Sequence, residues 1–184
     1  MGDAVTDSDA PAIDLTADCS KCAALCCILL AFDQSDAFAY SKDAGHPCRN
    51  LTWTHQCGIH GGLTDAGFAG CARYECHGAG QRVVQEVFGG QSWRDNPALI
   101  APMETAFRAL RRLHEAMVLL RAAADLPLSA DRQTERQGLF AGLQSLDCSG
   151  AGLPGFDISA HLKPVQDFLS TLRADLGQAV KPRR

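Results

Sequence analysis

No stretch of this sequence is apolar for long enough to cross a membrane. The longest apolar run, Ala23 to Phe32, is about half of the roughly 20 residues a spanning helix needs. The opening residues, Met1-Gly2-Asp3-Ala4-Val5-Thr6-Asp7, have neither a basic stretch nor an apolar one, so a secretory signal is not expected. Charge of one sign is also missing. Lys and Arg total 17 against 21 Asp and Glu, a net charge of −4, which gives no global pull toward nucleic acid or anionic lipid. Internal repeats and long low-complexity tracts are absent. No Ser/His/Asp set and no carboxylate pair can be assigned from spacing, so no catalytic residue is named. These absences lead to the expectation of a cytoplasmic protein with no membrane contact and no nucleic-acid partner.

Cysteine is present in excess. The chain of 184 residues has nine cysteines. Eight fall between Cys19 and Cys76, and Cys148 stands alone in the second half. Thiols stay reduced in the cytoplasm, so such a cluster reads as metal ligands before it reads as disulfides. The odd count agrees.

The pattern along the chain predicts a mainly α protein: an irregular cysteine-rich metal-binding module followed by an antiparallel helical bundle. Residues 1–18 carry five aspartates and no basic residue, which reads as a disordered acidic leader. Residues 19–90 form the cysteine-rich module. It begins with a helix expected over 19–32, with Asp18 as N-cap and Ala23, Ala24 and Leu25 favouring helix. Residues 33–80, with many glycines, four histidines and Pro47, fit no helix of normal length. A stretch that long needs something other than apolar burial to fix it, and metal ligation supplies it. A short helix is expected from about Ala79 to Phe88, ended by Gly89-Gly90.

Residues 91–184 form the bundle. Asn96 caps a long helix, with Pro97 at its first position. Leu99, Met103, Phe107, Leu110, Leu113, Met117 and Leu120 make one apolar stripe at spacings of three and four. Pro102 marks a start or a kink. Leu126-Pro127 ends the helix, and Ser129 caps a weaker one through Leu139, Phe140, Leu143 and Leu146. A loop follows over 149–155. The last helix carries Leu162, Val165, Leu169, Leu172, Leu176 and Val180 on one face. Short connections suggest an antiparallel bundle. The helical half is also the place where a protein partner would dock. The terminal Lys181-Pro182-Arg183-Arg184 reads as a solvated end.

The candidate metal ligands are Cys19, Cys22, Cys26, Cys27, Cys48, Cys57, Cys71 and Cys76. On a helix at about 100° per residue, Cys19, Cys22 and Cys26 fall within about 60° of one another. Cys26 and Cys27 should diverge, serving two neighbouring sites unless the helix ends between them. The other four lie in His46-Pro47-Cys48, Cys57-Gly58-Ile59-His60 and Gly70-Cys71-Ala72-Arg73-Tyr74-Glu75-Cys76-His77-Gly78. From Cys19 to His77 the other charges are four basic and five acidic residues. Eight crowded thiolates would repel without a cation, and a metal deprotonates its thiol ligands. Eight sulfurs suit two four-coordinate sites, or one iron–sulfur cluster and one zinc. The ligand spacings of radical-SAM enzymes, bacterial ferredoxins and C2H2 fingers are all absent.

The ordered elements Cys19-x2-Cys22-x3-Cys26-Cys27, Cys48-x2-Leu51, Cys57-x-Ile59-His60 and Cys71 resemble the YkgJ-type CxxCxxxCC cysteine-cluster family, which is described as zinc- or iron-chelating. The resemblance covers about residues 19–76. It implies a zinc or iron–sulfur centre on these cysteines. Two positions depart from that family: His60 stands where it often has tyrosine, and Phe68-Ala69-Gly70 where it often has Arg-Pro. The stretch Cys71 to Gln81 is also similar to the cysteine-rich domain that precedes pentapeptide repeats in some bacterial proteins. No such repeats occur here.

His60 is a candidate further ligand or an outer hydrogen-bond donor. His46, His55 and His77 neighbour cysteines without a ligand pattern, and His114 and His161 read as ordinary helical residues. Gly78-Ala79-Gly80 lacks the full phosphate-binding fingerprint. Cys148 reads as a free thiol. The leading expectation is a non-enzymatic metal protein acting as a binding, regulatory or scaffold module. An iron–sulfur redox protein and an enzyme using the metal centre are the alternatives.

Overall fold

A computed structural model describes residues 13–148 and 158–179, with side chains through Leu172. The expected leader through residue 12, the loop over 149–155 and the Lys181–Arg184 end lie outside the described residues. The described chain is mainly helical, with no strand longer than an isolated bridge. No described helix is long and apolar enough to cross a membrane.

The axis of the fold is helix α4, Ile100–Ala122. Asn96 caps its entry by accepting from Ala98 N, with Pro97 just inside the cap. Pro102 stands in the first turn, where an N–H has no intrahelical acceptor to lose, so it starts the helix rather than kinking it. The apolar stripe is the buried face: Met103, Phe107, Leu110, Leu113, Met117 and Leu120 are all at most 1% exposed. Each such burial contributes about 1.5–3 kcal/mol.

Two more helices complete the bundle, α5 (Ala130–Gln144) and α6 (Ile158–Ala179). Ser129 caps α5 by accepting from Arg132 N. The start of α5 touches the end of α4, where Gln133 donates to Ala124 O and Arg136 to Leu120 O. Past the other end of α5, Leu146 O accepts from Arg82, which reaches His114 in the middle of α4. The two helices are therefore antiparallel, as expected.

The cysteine-rich half departs from expectation in its first helix. A continuous helix over 19–32 does not form. A single tight turn covers Cys19–Lys21, Ala23 and Ala24 take left-handed backbone (φ 47 and 56), and helix α1 spans only Leu25–Leu29. Left-handed alanine costs about 1–2 kcal/mol per residue, so something must hold it. Trp93 Nε1 donates to Ala23 O at 2.8 Å. Two short helices follow, α2 (Ala69–Arg73) and α3 (Ala79–Arg82). The α3 helix widens over Val83–Val87, with Phe88 N reaching back to Val83 O, and ends at left-handed Gly89 and Gly90.

The leader is not free from residue 13 onward. Leu15 is buried beneath the bundle, and the Gln81 amide accepts from Asp18 N at 2.6 Å and donates to Thr16 O at 2.9 Å. The module and the bundle also share a core across the expected boundary at residue 90. Leu25, Ile28, Leu29, Ala79 and Val83 pack in one cluster with Met103, Phe107, Leu110 and Cys148. A second cluster joins the C-terminal half of α4 to α5, α6 and Leu15.

His114 is more than an ordinary helical residue. It is fully buried, donates from Nδ1 to His77 O at 2.6 Å, and accepts at Nε2 from Arg82 Nη1 at 3.4 Å. That pair of partners fixes a neutral tautomer. Burial lowers its pKa from 6.5 to about 4; the His77 carbonyl opposes this and the Arg82 charge reinforces it. The unfolded chain therefore binds this proton first. The stability it contributes is complete above pH 6.5 and falls as pH drops from 6.5 through 4, by about 3 kcal/mol. In His114→Gln this component should vanish, giving a flatter profile of urea midpoint against pH across that window. Parallel profiles for the two proteins would contradict it.

Candidate metal centre

The eight expected ligands lie on four short pieces of chain that the fold brings together. The first is the turn from Cys19 to Cys22, where Cys22 Sγ donates to Cys19 O at 3.5 Å. This turn rests on α3. Gly80 gives it room, because a Cβ there would come within 3.0 Å of Cys22 Cβ, and Gln85 Nε2 donates to Lys21 O at 2.9 Å. Cys76 lies just ahead of α3, and Ala79 N donates to its carbonyl at 3.0 Å.

The left-handed Ala23–Ala24 pair turns the chain before α1, which carries Cys26 and Cys27. Their Sγ atoms stand 4.0 Å apart, so the side chains do not diverge as a regular helix suggests. Cys48 N donates to Cys27 O at 3.0 Å, which brings in the next piece. The bridge between Leu51 and Cys57, with Leu51 N on Cys48 O and Gly58 N on Asn50 O, holds Cys57 beside Cys48. Cys71 arrives on α2. Gly70 N donates to Ala37 O at 3.0 Å, and the Phe38 ring presses on Gly70, where no side chain would fit.

Electrostatics ties the set together with Cys26 as its hub. Burial raises the Cys19 thiol, and Cys26 and Cys76 raise it further. Burial pushes Cys22 from 9.0 up to about 12, helped by Cys26. Cys71 is pushed up to about 11 by burial, then by Cys26, Cys48 and Cys57. Cys57 is raised first by burial, with Cys48 and Cys26 adding to it. Cys26 itself is held well above 9.0 by its hydrogen bond with Cys27 and by burial. Without a cation these sulfurs hold their protons; a cation among them displaces those protons. All nine cysteines are free thiols. Among the described residues no three His, Cys, Asp or Glu side chains have closed on a common point that would hold a metal ion.

Three neighbours were not legible as site residues. Lys42 is 8% exposed, and its ammonium donates to Ile28 O, Asp43 O and His46 O at 3.3, 2.9 and 2.9 Å. Burial lowers its pKa, while the charges of Cys48, Cys27, Asp43 and Cys26 work the other way. The Tyr40 hydroxyl lies 3.1 Å from Cys48 Sγ and accepts from Arg49 N at 3.1 Å. Between the Tyr40 hydroxyl and the Cys48 thiol either group can donate; toward a thiolate only the hydroxyl can. The Tyr74 hydroxyl is buried without a hydrogen-bond partner; burial raises its pKa, as do Cys26 and Cys76. Its position two residues before Cys76 was the one available signal.

The histidines sort differently. His60 is exposed, its N–H bonded to Cys57 O, on the rim of an open cleft of about 540 Å³ with Cys71, Tyr74 and Glu75. His55 Nε2 and the Ser92 hydroxyl share a hydrogen bond at 2.9 Å, and His46 is exposed beside Ala44 O. His77 adopts left-handed backbone and lends its carbonyl to His114. Cys148 is buried beside Arg82 and Glu86, apart from the cluster, and its Sγ donates to Leu146 O.

The chain is similar to the uncharacterized protein YybG of Bacillus subtilis (strain 168), with 36% identity over 170 residues. The alignment covers 92% of this chain and 61% of that protein, so the chain spans less than two thirds of that relative's length. No family model and no solved structure matches the chain.

Proposed function

We propose that this is a cysteine-ligated metal protein, in which a zinc or iron–sulfur centre organises residues 19–76 into a binding, regulatory or scaffold module on a helical base. The observation that carries the reading is that Cys27 lies 4.0 Å from Cys26, that Cys48 is tied by its N–H to Cys27 O and by the Leu51–Cys57 bridge to Cys57, and that Cys19, Cys22, Cys57 and Cys71 are further neighbours of Cys26. Burial of eight protonated thiols as small apolar groups would need an apolar core around them, and the segment from 30 to 77, which carries four of them, has almost none. Metal coordination would draw the sulfurs onto common points and supply the missing stabilisation.

A redox role is the second reading. The Tyr40 hydroxyl beside Cys48 Sγ is the kind of donor that sets the potential of an iron–sulfur cluster. Anaerobic purification followed by elemental analysis and a visible spectrum separates the two: a colourless zinc protein supports the first, a brown iron protein the second. In either case Cys148→Ser should keep the full metal content and Cys22→Ser should lose metal. A chain that binds neither zinc nor iron under reducing conditions would refute both readings.

A further inference from the structure

We infer that Ser92-Trp93-Arg94, the segment leading into α4, is a clasp that positions the thiol-bearing chain: Trp93 fixes the bend between Cys22 and Cys26, and Ser92 and Arg94 fix the turn ahead of Cys57. This rests on the metal reading above and names what places three of its candidate ligands.

Among the described residues four that are not glycine take left-handed backbone: Ala23, Ala24, His55 and His77, with φ 47, 56, 58 and 52. All four lie in the cysteine-rich half. Such residues persist only where their surroundings hold them. Three of them meet a side chain from beyond residue 90. Trp93 Nε1 donates to Ala23 O, the His55 ring shares a hydrogen bond with the Ser92 hydroxyl, and His114 donates to His77 O. Two of those three side chains are neighbours in one short segment. It is anchored to the bundle, because Asp95 N and Asn96 N both donate to Ser92 O and Asn96 caps the entry to α4.

The segment reaches two separate pieces of chain. On one side the Trp93 ring is buried with Leu25, Ile28 and Leu29, so its N–H meets Ala23 O from a fixed place. The bend it holds lets the Cys19–Cys22 turn lie on α3 while α1, with Cys26, lies on α4. A continuous helix would carry both on one axis. On the other side Arg94 Nη2 donates to Thr52 O at 2.7 Å, and the Ser92 hydroxyl accepts from Arg94 N at 3.1 Å. The Arg94 guanidinium lies 5.0 Å from the Trp93 ring and 5.1 Å from the Trp53 ring, within cation–π range. The His55 ring stands edge-on to Trp93 at 5.9 Å. These contacts fasten residues 52–55, and Thr52 N on Gln56 O closes the turn just ahead of Cys57. Three consecutive residues therefore set the Cys22–Cys26 bend and the Cys57 turn against each other.

The first test needs no metal. The reduced full chain, with chelator present, is exposed to a maleimide, and the labelled cysteines are mapped by mass spectrometry. In the wild type the exposed Cys19 should react quickly, and the buried Cys22 and Cys148 slowly. Trp93→Phe keeps a ring and removes the N–H. It should speed Cys22 labelling about tenfold and leave Cys148 protected. Adding Ala23→Gly should restore slow labelling, because glycine takes left-handed backbone freely and resists the helix that would replace the bend. A Trp93 that only fills space would not be rescued in this way. An unchanged Cys22 rate in Trp93→Phe, or no rescue, overturns the proposal. Where Trp93→Phe loosens Cys148 as well, Ala23→Gly alone decides: it should slow Cys22 below the wild-type rate, and faster labelling overturns the proposal. The second test loads the chain with zinc. Ser92→Ala and Trp93→Phe should each keep the wild-type zinc content and helical circular dichroism, and lose zinc to a competing chelator about tenfold faster. A wild-type release rate in Ser92→Ala removes the Cys57 arm of the clasp. A chain that takes up no zinc and no iron removes the metal reading and that arm with it, while the maleimide result still decides the bend.

Discussion

Stripping the metal under reducing conditions should unfold residues 31–75 while leaving α4, α5 and α6 in place. From Leu30 to His77 the only buried residues are Lys42 and Phe68. Ordering each residue costs about 1–2 kcal/mol of backbone entropy, and one buried phenylalanine returns about 1.5–3 kcal/mol. Three isolated bridges do not close that gap. The helical base is different. Leu113, Met117, Leu120, Leu143, Leu162, Val165, Phe168 and Leu172 form a cluster that contains no cysteine. Helix α1 should survive as well, since Leu25, Ile28 and Leu29 are buried against α4. Limited proteolysis and amide exchange, with and without chelator, check this. Cleavage should appear between 31 and 75 only in the stripped protein. Equal protection of that segment in both forms would mean that apolar packing holds it after all.

The base was the legible part of the sequence because its signals are local. The α4 stripe repeats with helical period, and Asn96 and Ser129 cap the helices whose starts they mark. The site was legible as a set and not as an arrangement. Cysteine content names the eight candidate ligands, yet which sulfur faces which depends on contacts far apart in sequence. The turn at Ala23–Ala24 is the clearest case. Alanine favours helix locally, and the Trp93 hydrogen bond from 70 residues away imposes left-handed backbone instead. Contacts across residue 90 have the same origin: composition shifts there, and α1 and α3 bury their apolar residues against α4. Leu15 and Ile13, two apolar residues in an acidic leader, were the signal that its last part docks.

Lys42→Met should cost the metal-loaded protein about 3–5 kcal/mol, and cost the stripped protein clearly less. Lys42 is a buried ammonium whose three protons all go to backbone carbonyls, and a formal counter-charge is not among those acceptors. Its charged neighbours, after burial, are Cys48, Cys27, Asp43 and Cys26. While the thiols are protonated, the lysine mainly satisfies carbonyls, and losing it strands three acceptors. Once the thiols become metal-bound thiolates, the same ammonium offsets their negative charge in a medium that screens poorly. Methionine keeps the stem and removes both roles, so the loss in the loaded form exceeds that in the stripped form by the electrostatic part. Lys42→Arg should recover little. A planar guanidinium cannot present three protons to the carbonyls of Ile28, Asp43 and His46 as an ammonium does. Zinc competition and chemical denaturation of both forms measure the two costs. Equal costs in loaded and stripped protein would show that Lys42 is only a backbone clasp, and that the sulfurs beside it carry no charge for it to balance.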